Sequence, residues 1–490
     1  MIRAELTKFR SVRAWVTGIA VAFLAIVGLG AAAAGGIRID CNGKPCPPPA
    51  TGPGGEAVRD KFSYVHQKLD GDGELTAHVA SFTGIITYPP PNHDTIVDGL
   101  VPWAKAGIMV KDGTREGATY ASVLLTAAHG VRFQHDFTAD QAGPAGARWL
   151  RLSRSGDTIT AYASADGAAW SEIGHAALDN LPRSVLIGLF VTSPSDITYA
   201  ASPHGGSIVQ ARFTQATAVF DQVSRGGTWT FTDVGDDGMR TDWEKFNQAA
   251  GFTQDGGRLT VSGSGDIAPA GQEAAPTVDF TLAGMIVALI AVIIVGVLFI
   301  TGEYRRGLIR TTFTAMPGRG RVLAAKAAVI GAVTFVVGLA GAAITLPLAS
   351  RIVRSNQGFL LPASAGTQLR IIVGAALLLS LAAIFAYAMG AALRRGTPAV
   401  GLAVVLVILP YLLATTSVLP VAAGEWLLRL TPAAGFAFKQ ALPEYHQVLL
   451  PYTPSEGYFP LPPWAGLGVV AAWALAFLGL AVLRARRSDA

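Results

Sequence analysis

Two hydrophobic periods divide this chain. Six stretches, near 14–34, 280–300, 327–350, 371–393, 398–423 and 465–483, are almost continuously apolar. A bilayer core needs about 20 such residues in a helix, so each predicts a transmembrane span. Between the first two, from 37 to 276, the period falls to two. In "ELTAHVASF" one face takes Leu75, Ala77 and Val79, and in "SVLIGLFVTS" it takes Val185, Ile187, Leu189 and Val191. "WLRLSRSGDTITAYASADGAAW" reads as three strands joined at Ser155-Gly156 and Asp166-Gly167, both good turn pairs. Short alternating strands at regular spacing predict an antiparallel sandwich. The expected fold class is therefore an α-helical membrane protein with six transmembrane helices. An extracytoplasmic all-β sandwich is inserted between helices 1 and 2.

Four segments follow. Residues 1–36 form an amphipathic interface helix and the first span, and 37–55 a Pro/Gly-rich linker ("PCPPPATGPGGE"). Residues 56–275 form the sandwich, and 276–490 hold spans two to six. The first span follows basic residues and ends in small ones, as a signal peptide does. Its long amphipathic lead-in and the later spans favour an uncleaved helix.

Charge sharpens this division. Of 38 Lys/Arg and 33 Asp/Glu in the 490 residues, 18 and 26 lie in 37–276, a net −8; the remaining 20 and 7 give +13. The basic residues flank apolar spans, so membrane topology accounts for them and nucleic acid is not expected as a partner. With the N-terminus inside, the short cytoplasmic segments hold about fifteen Lys/Arg and the outer loops about five, as the positive-inside rule requires. Both termini are then expected in the cytoplasm and 37–276 outside. On that oxidising side Cys41 and Cys46 could close a small local disulfide, or remain two thiols in a linker.

Candidate chemistry in the outer segment is sparse. Sandwich glycosidases need two carboxylates flanking the scissile bond. The nearest set, Asp70, Asp72 and Glu74 in "LDGDGEL", would share one face of an extended segment, where calcium is as suitable as catalysis and a solvated turn simpler than either. Trp103, Trp149 and Trp170 could form an aromatic platform for carbohydrate, or core. His129 and His135 lack a third metal ligand, and no metal site is expected. In the membrane part "GEYRRGLIRTTFTAMPGRGR" carries five arginines between two spans. Tyr304, Leu308, Thr312 and Met316 follow an i, i+4 row, Arg306 and Arg310 another, and Pro317 stops the helix. The pattern predicts a cytoplasmic amphipathic helix of about three turns over 303–316.

"FSYVHQKLDGDGELTAHVASF", "WAKAGIMVKDG" and "IGLFVTS" resemble concanavalin A-like β-sandwich modules, which implies a fold and a binding role, and transfers no catalytic residue. "AELTKFRSVRAWV", "GEYRRGLIRTTFTAMPGRGRVLAAKA" and "WLLRLTPAAGFAFKQALP" resemble permease subunits of ABC-2 type ATP-binding cassette transporters. By that resemblance Glu303, Tyr304, Arg305, Arg306, Leu308, Ile309, Arg310, Thr312 and Met316 belong to a coupling helix that docks a cognate ATP-binding subunit, and 425–441 to short outer helices dipping back between spans five and six. It also implies a permease dimer and an exporter. No G-x-x-x-x-G-K-[ST] loop is present, because Gly302 to Gly307 continues into Leu308-Ile309. ATP and Mg²⁺ are thus expected on the partner subunit, and the chain itself is expected to have no cofactor and no enzymatic activity. A membrane-anchored lectin or sensor is the alternative reading.

Overall fold

The computed structural model describes residues 2–37, 40–41, 44–45, 48–88, 95–201, 207–236, 250–272, 274–315 and 318–487. Cys46 and Met316 lie outside them, as do the side chains of Cys41 and Arg310, and with them the disulfide and part of the 303–316 helix.

Six helical stretches are long and apolar enough to cross a membrane: Arg13–Gly36, Val278–Arg305, Arg319–Ser355, Ala365–Leu393, Gly396–Thr415 and Pro463–Arg486. In chain order the helices are α1 (Ile2–Ser11), α2 (Arg13–Gly36), α3 (Met285–Arg305), α4 (Leu308–Ala315), α5 (Arg319–Ser355), α6 (Ala365–Leu393), α7 (Gly396–Val407), α8 (Leu409–Thr415), α9 (Val421–Leu430) and α10 (Pro463–Arg487). Pro410, just inside α8, lacks the N–H that would carry α7 onward, so the fifth stretch is two helices. Small residues let the backbones approach closely. A Cβ on Gly296 would stand 2.7 Å from the Ala383 carbonyl oxygen, and one on Gly338 2.9 Å from Cα of Ala376. Leu24, Val336 and Leu475, each more than 60% exposed, lie on the outside of the bundle, where lipid rather than water suits them.

All the long strands fall between α2 and α3 in two sheets. The seven-stranded sheet runs Ala139–Ala142, Val131–His135, Tyr120–Thr126, Lys105–Lys111, Ser184–Thr192, Phe62–Asp70, Thr230–Val234. The second runs Ser171–Ala177, Thr158–Ser164, Trp149–Ser155, Gly73–Thr87, Ser207–Asp221, Arg258–Gly263, Gly251–Asp255, with Ile96–Asp98 and Asp196–Ala201 paired alongside. Leu75, Ala77, Val79, Val185, Ile187, Leu189 and Val191 fill one core between the sheets, as the alternation predicts. The predicted turns are also present. Gly167 has φ +76°, and a Cβ there would stand 2.8 Å from the Trp149 ring, so two constraints select glycine. Asp166 accepts N–H bonds from Ala169 and Ala168, and these hold its carboxyl at about 2.

Alternation fails where the sheet is covered twice. Lys105–Lys111 is buried along its whole length, because the ingoing strand Val58–Asp60 pairs with the outgoing strand Ile267–Pro269 and lies across the outer face of the seven-stranded sheet. Two buried ion pairs fasten this cover: Lys111 to Asp60 at 2.6 Å and Lys105 to Asp266 at 3.1 Å. Burial pushes the Asp60 carboxyl up and the Lys111 ammonium down despite their mutual attraction. Each charge is thus paired where water is excluded, and losing either partner would strand the other. Residues 50–55, expected as the end of the linker, form a turn with 56–58 in which Thr51 is bridged to Ala57.

The sandwich is seated on the bundle. Ala57, Ala270 and Ala275 pack with Leu361, and Ala268 with Val448 and Leu450. Gln447 donates to the Thr138 carbonyl at 3.0 Å. The α5–α6 and α9–α10 connections thus share one end of the bundle with the sandwich. Residues 425–441, expected as short helices between spans five and six, lie in α9 and the 3-10 helix Pro432–Lys439, and Ala433, Phe436 and Phe438 are buried in the core of the bundle.

Candidate functional site

At the opposite end the chain brings together four charged groups from three elements. Glu303 sits in the last turn of α3 and is 2% exposed. Lys326, seven residues into α5, is fully buried. Lys326 Nζ donates to Glu303 Oε1 at 2.7 Å and to Glu5 Oε2 of α1 at 2.6 Å, and Lys8 of α1 also donates to Glu303 Oε1. An aromatic cluster lies beneath: Phe9 stacks on Trp15 at 5.8 Å, both meet Phe299 edge-on, and Lys326 stands 5.4 Å from the Phe299 ring. The amphipathic N-terminal helix expected from sequence therefore has a defined seat, apolar through Phe9 and ionic through Glu5 and Lys8. Glu303 Oε2 is buried without a hydrogen-bond partner.

The single helix expected over 303–316 is divided in two. Arg306 ends α3, Gly307 takes φ +70°, and α4 starts afresh at Leu308. Only glycine enters that conformation freely, so the row through Tyr304, Leu308 and Thr312 is cut between its first two members. Glu303 points inward as an anchor, and Ile309 is 3% exposed. Arg305, Arg306 and Leu308 remain exposed. The hydroxyls of Thr311 and Thr312 donate to the Leu308 carbonyl at 2.8 and 3.0 Å and so turn back onto the helix. Tyr304 lies under the Arg394 guanidinium, 5.5 Å from its ring centre. Arg305, Arg394 and Arg395 border an open groove of about 1120 Å³ whose walls include Ile294, Leu298 and Val400.

The tryptophan platform also divides. On the outer face of the larger sheet, Trp149 lies 4.9 Å from His78, which bonds Asp221 at 2.7 Å. Beside them the Arg151 guanidinium lies between the Tyr162 and Trp170 rings, at 4.6 and 4.3 Å. Trp103 belongs elsewhere: it is 7% exposed, stacks on His129 at 4.0 Å and packs near Arg132 of the smaller sheet. Asp70, Asp72 and Glu74 do not converge on a cation, and no group of three His, Cys, Asp or Glu able to hold a metal occurs among the described residues. Asp72 instead accepts the Gly156 N–H at 2.7 Å and braces a hairpin.

Lys326, Glu5 and Lys8 were not singled out from sequence, because their association spans about 300 residues. The available signal was Lys326 itself, a lone cation in "VLAAKAAVIG", since isolated charges in apolar helices seek partners.

No family model matches the chain, and no curated protein matches it. Among solved structures it is similar to SCP-B, an eqolisin-family peptidase in complex with the tripeptide Ala-Ile-His. The identity is 10%, covering 42% of this chain and 98% of that one, with TM-score 0.23. It is also similar to a functionally unknown protein from Saccharomyces cerevisiae, at 18% identity over 39% and 84% of the two chains, with TM-score 0.17. Neither similarity is close enough to carry an activity across.

Proposed function

We propose that the chain is the membrane-spanning permease subunit of an ABC-2 type transporter, acting as an exporter in a permease dimer and driven by a separate ATPase. The observation that carries this reading is the break at Gly307. It leaves α4 as a separate short helix between two spans, with Arg305 and Arg306 exposed beside Arg394 and Arg395. A basic, solvent-facing surface built on rigid elements suits an acidic groove on a soluble partner. In this arrangement α4 docks the ATPase, while Glu303 and Lys326 tie its base to α1, so that displacement of α4 is felt by spans one to three.

The sandwich then lies outside the cell with the 356–364 and 441–458 loops, and α1, α4 and both termini lie in the cytoplasm. The Trp149, Arg151, Tyr162 and Trp170 face supports binding of cell-envelope carbohydrate, since stacked rings and a guanidinium suit sugar faces and hydroxyls.

The test is co-purification with the cognate ATPase. Arg305→Glu/Arg306→Glu should reduce recovery of the ATPase at least tenfold without reducing the yield of membrane-inserted protein. Undiminished recovery would reject docking at α4 and favour a membrane-anchored binding protein, in which the spans only hold the sandwich in place.

A further inference from the structure

At the junction of sandwich and bundle lies a cavity of about 450 Å³, within the range of small-molecule sites. Four separate segments build it. Gly54 to Ala57 come from the ingoing turn and Pro269-Ala270 from the end of the outgoing strand; Leu361 to Thr367 belong to the α5–α6 connection and the first turn of α6, and Ala441 to Tyr458 to the approach to α10. The wall is mostly apolar, with the Tyr445 and Tyr458 rings among its lining.

Among the described lining residues only Glu56 is acidic, and none is Lys, Arg or His. Glu56 Oε1 is buried beside Gly52 without a hydrogen-bond partner, while Oε2 lies beside Gly54, which lines the cavity. The carboxylate folds back over its own turn, where Cβ atoms on Gly52 or Gly54 would stand 2.4 Å from its oxygens. That turn is closed by Gly52 N–H to the Glu56 carbonyl at 2.8 Å. Burial, and secondarily the charge of Glu56, push the Tyr445 hydroxyl up, so it stays neutral.

A carboxylate in a largely apolar wall that holds no lysine, arginine or histidine attracts a cationic donor. Aromatic walls add attraction for the same sign of charge. We propose that this cavity is a binding site for a small organic amine, its ammonium on Glu56 and its apolar body against Leu361, Leu442 and Leu450. Because the walls come from both parts of the molecule, occupancy ties the sandwich to the bundle and should raise the unfolding temperature of the full chain. The site does not depend on the transport reading.

The experiment is calorimetric titration of the detergent-purified full chain at neutral pH with benzylamine and with its neutral counterpart benzyl alcohol. Benzylamine should bind saturably and at least tenfold tighter than the alcohol, and Glu56→Gln should weaken the amine at least tenfold while leaving the alcohol unchanged. Equal affinities for the two probes, no saturable binding of benzylamine, or full amine affinity in a folded Glu56→Gln variant would each overturn the proposal. If Glu56→Gln does not fold, the ratio of the two probes in the unaltered protein decides.

Discussion

Lys111 of the sandwich and Lys326 of the bundle are both completely buried, and both lie beside aromatic rings and carboxylates. Their surroundings differ in one respect. Lys111 meets a single carboxylate, Asp60, and the Ala118 carbonyl, inside a closed shell of Phe62, Tyr120 and Phe137. Lys326 meets two carboxylates, and the network continues through Glu303 to Lys8, whose side chain is 34% exposed. The first is a closed clamp that seals one layer onto another. The second opens toward solvent at the end of the bundle where α4 and the exposed arginines stand. A buried pair specifies position in both, but only the second connects a fixed interior to a surface available to a partner.

Removing one member of each cluster should separate these roles. Lys326→Met leaves Glu5 without its buried partner and Glu303 with Lys8 alone, a loss of about 3–5 kcal/mol. The expected result is release of α1, seen as faster hydrogen exchange over residues 2–11, with partial recovery in Lys326→Met/Glu303→Gln. Lys111→Met strands Asp60 at a similar cost, about 3–5 kcal/mol. Its exchange should rise over 58–60 and 267–269 and stay unchanged in α1. A smaller effect is expected from Gly307→Ala, which places a Cβ at φ +70° and costs about 1 kcal/mol. It should lower ATPase recovery severalfold with little change in unfolding temperature, because the strain falls on α4 alone. A large thermal shift there would mean that α4 is part of the bundle core.

The six apolar helices and the inward faces of the strands were legible from sequence because both are local. An uncharged run or a period of two needs no knowledge of partners. What escaped depends on distant segments. Nothing near Lys105 and Lys111 in the sequence shows that residues 58–60 and 267–269 return to cover them. Glu303 falls in the docking helix that the resemblance implies, and the i, i+4 row from Tyr304 continues through Gly307 on paper, whereas that residue turns the chain. Trp103, Trp149 and Trp170 looked equivalent by residue type, yet Trp103 belongs to the smaller sheet and the other two to the outer face of the larger one. The cavity at Glu56 arises from four segments of the chain and has no local signature at all.

The central claim is that the α4 end of the bundle, and not the sandwich, engages the ATP-hydrolysing partner. Hydrogen exchange of the full-length protein with and without its purified ATPase tests this directly. Protection is expected over residues 304–315 and 393–397, with the strands between 58 and 269 unchanged. Protection confined to the sandwich, or absent from 304–315 in a complex that has formed, would contradict it.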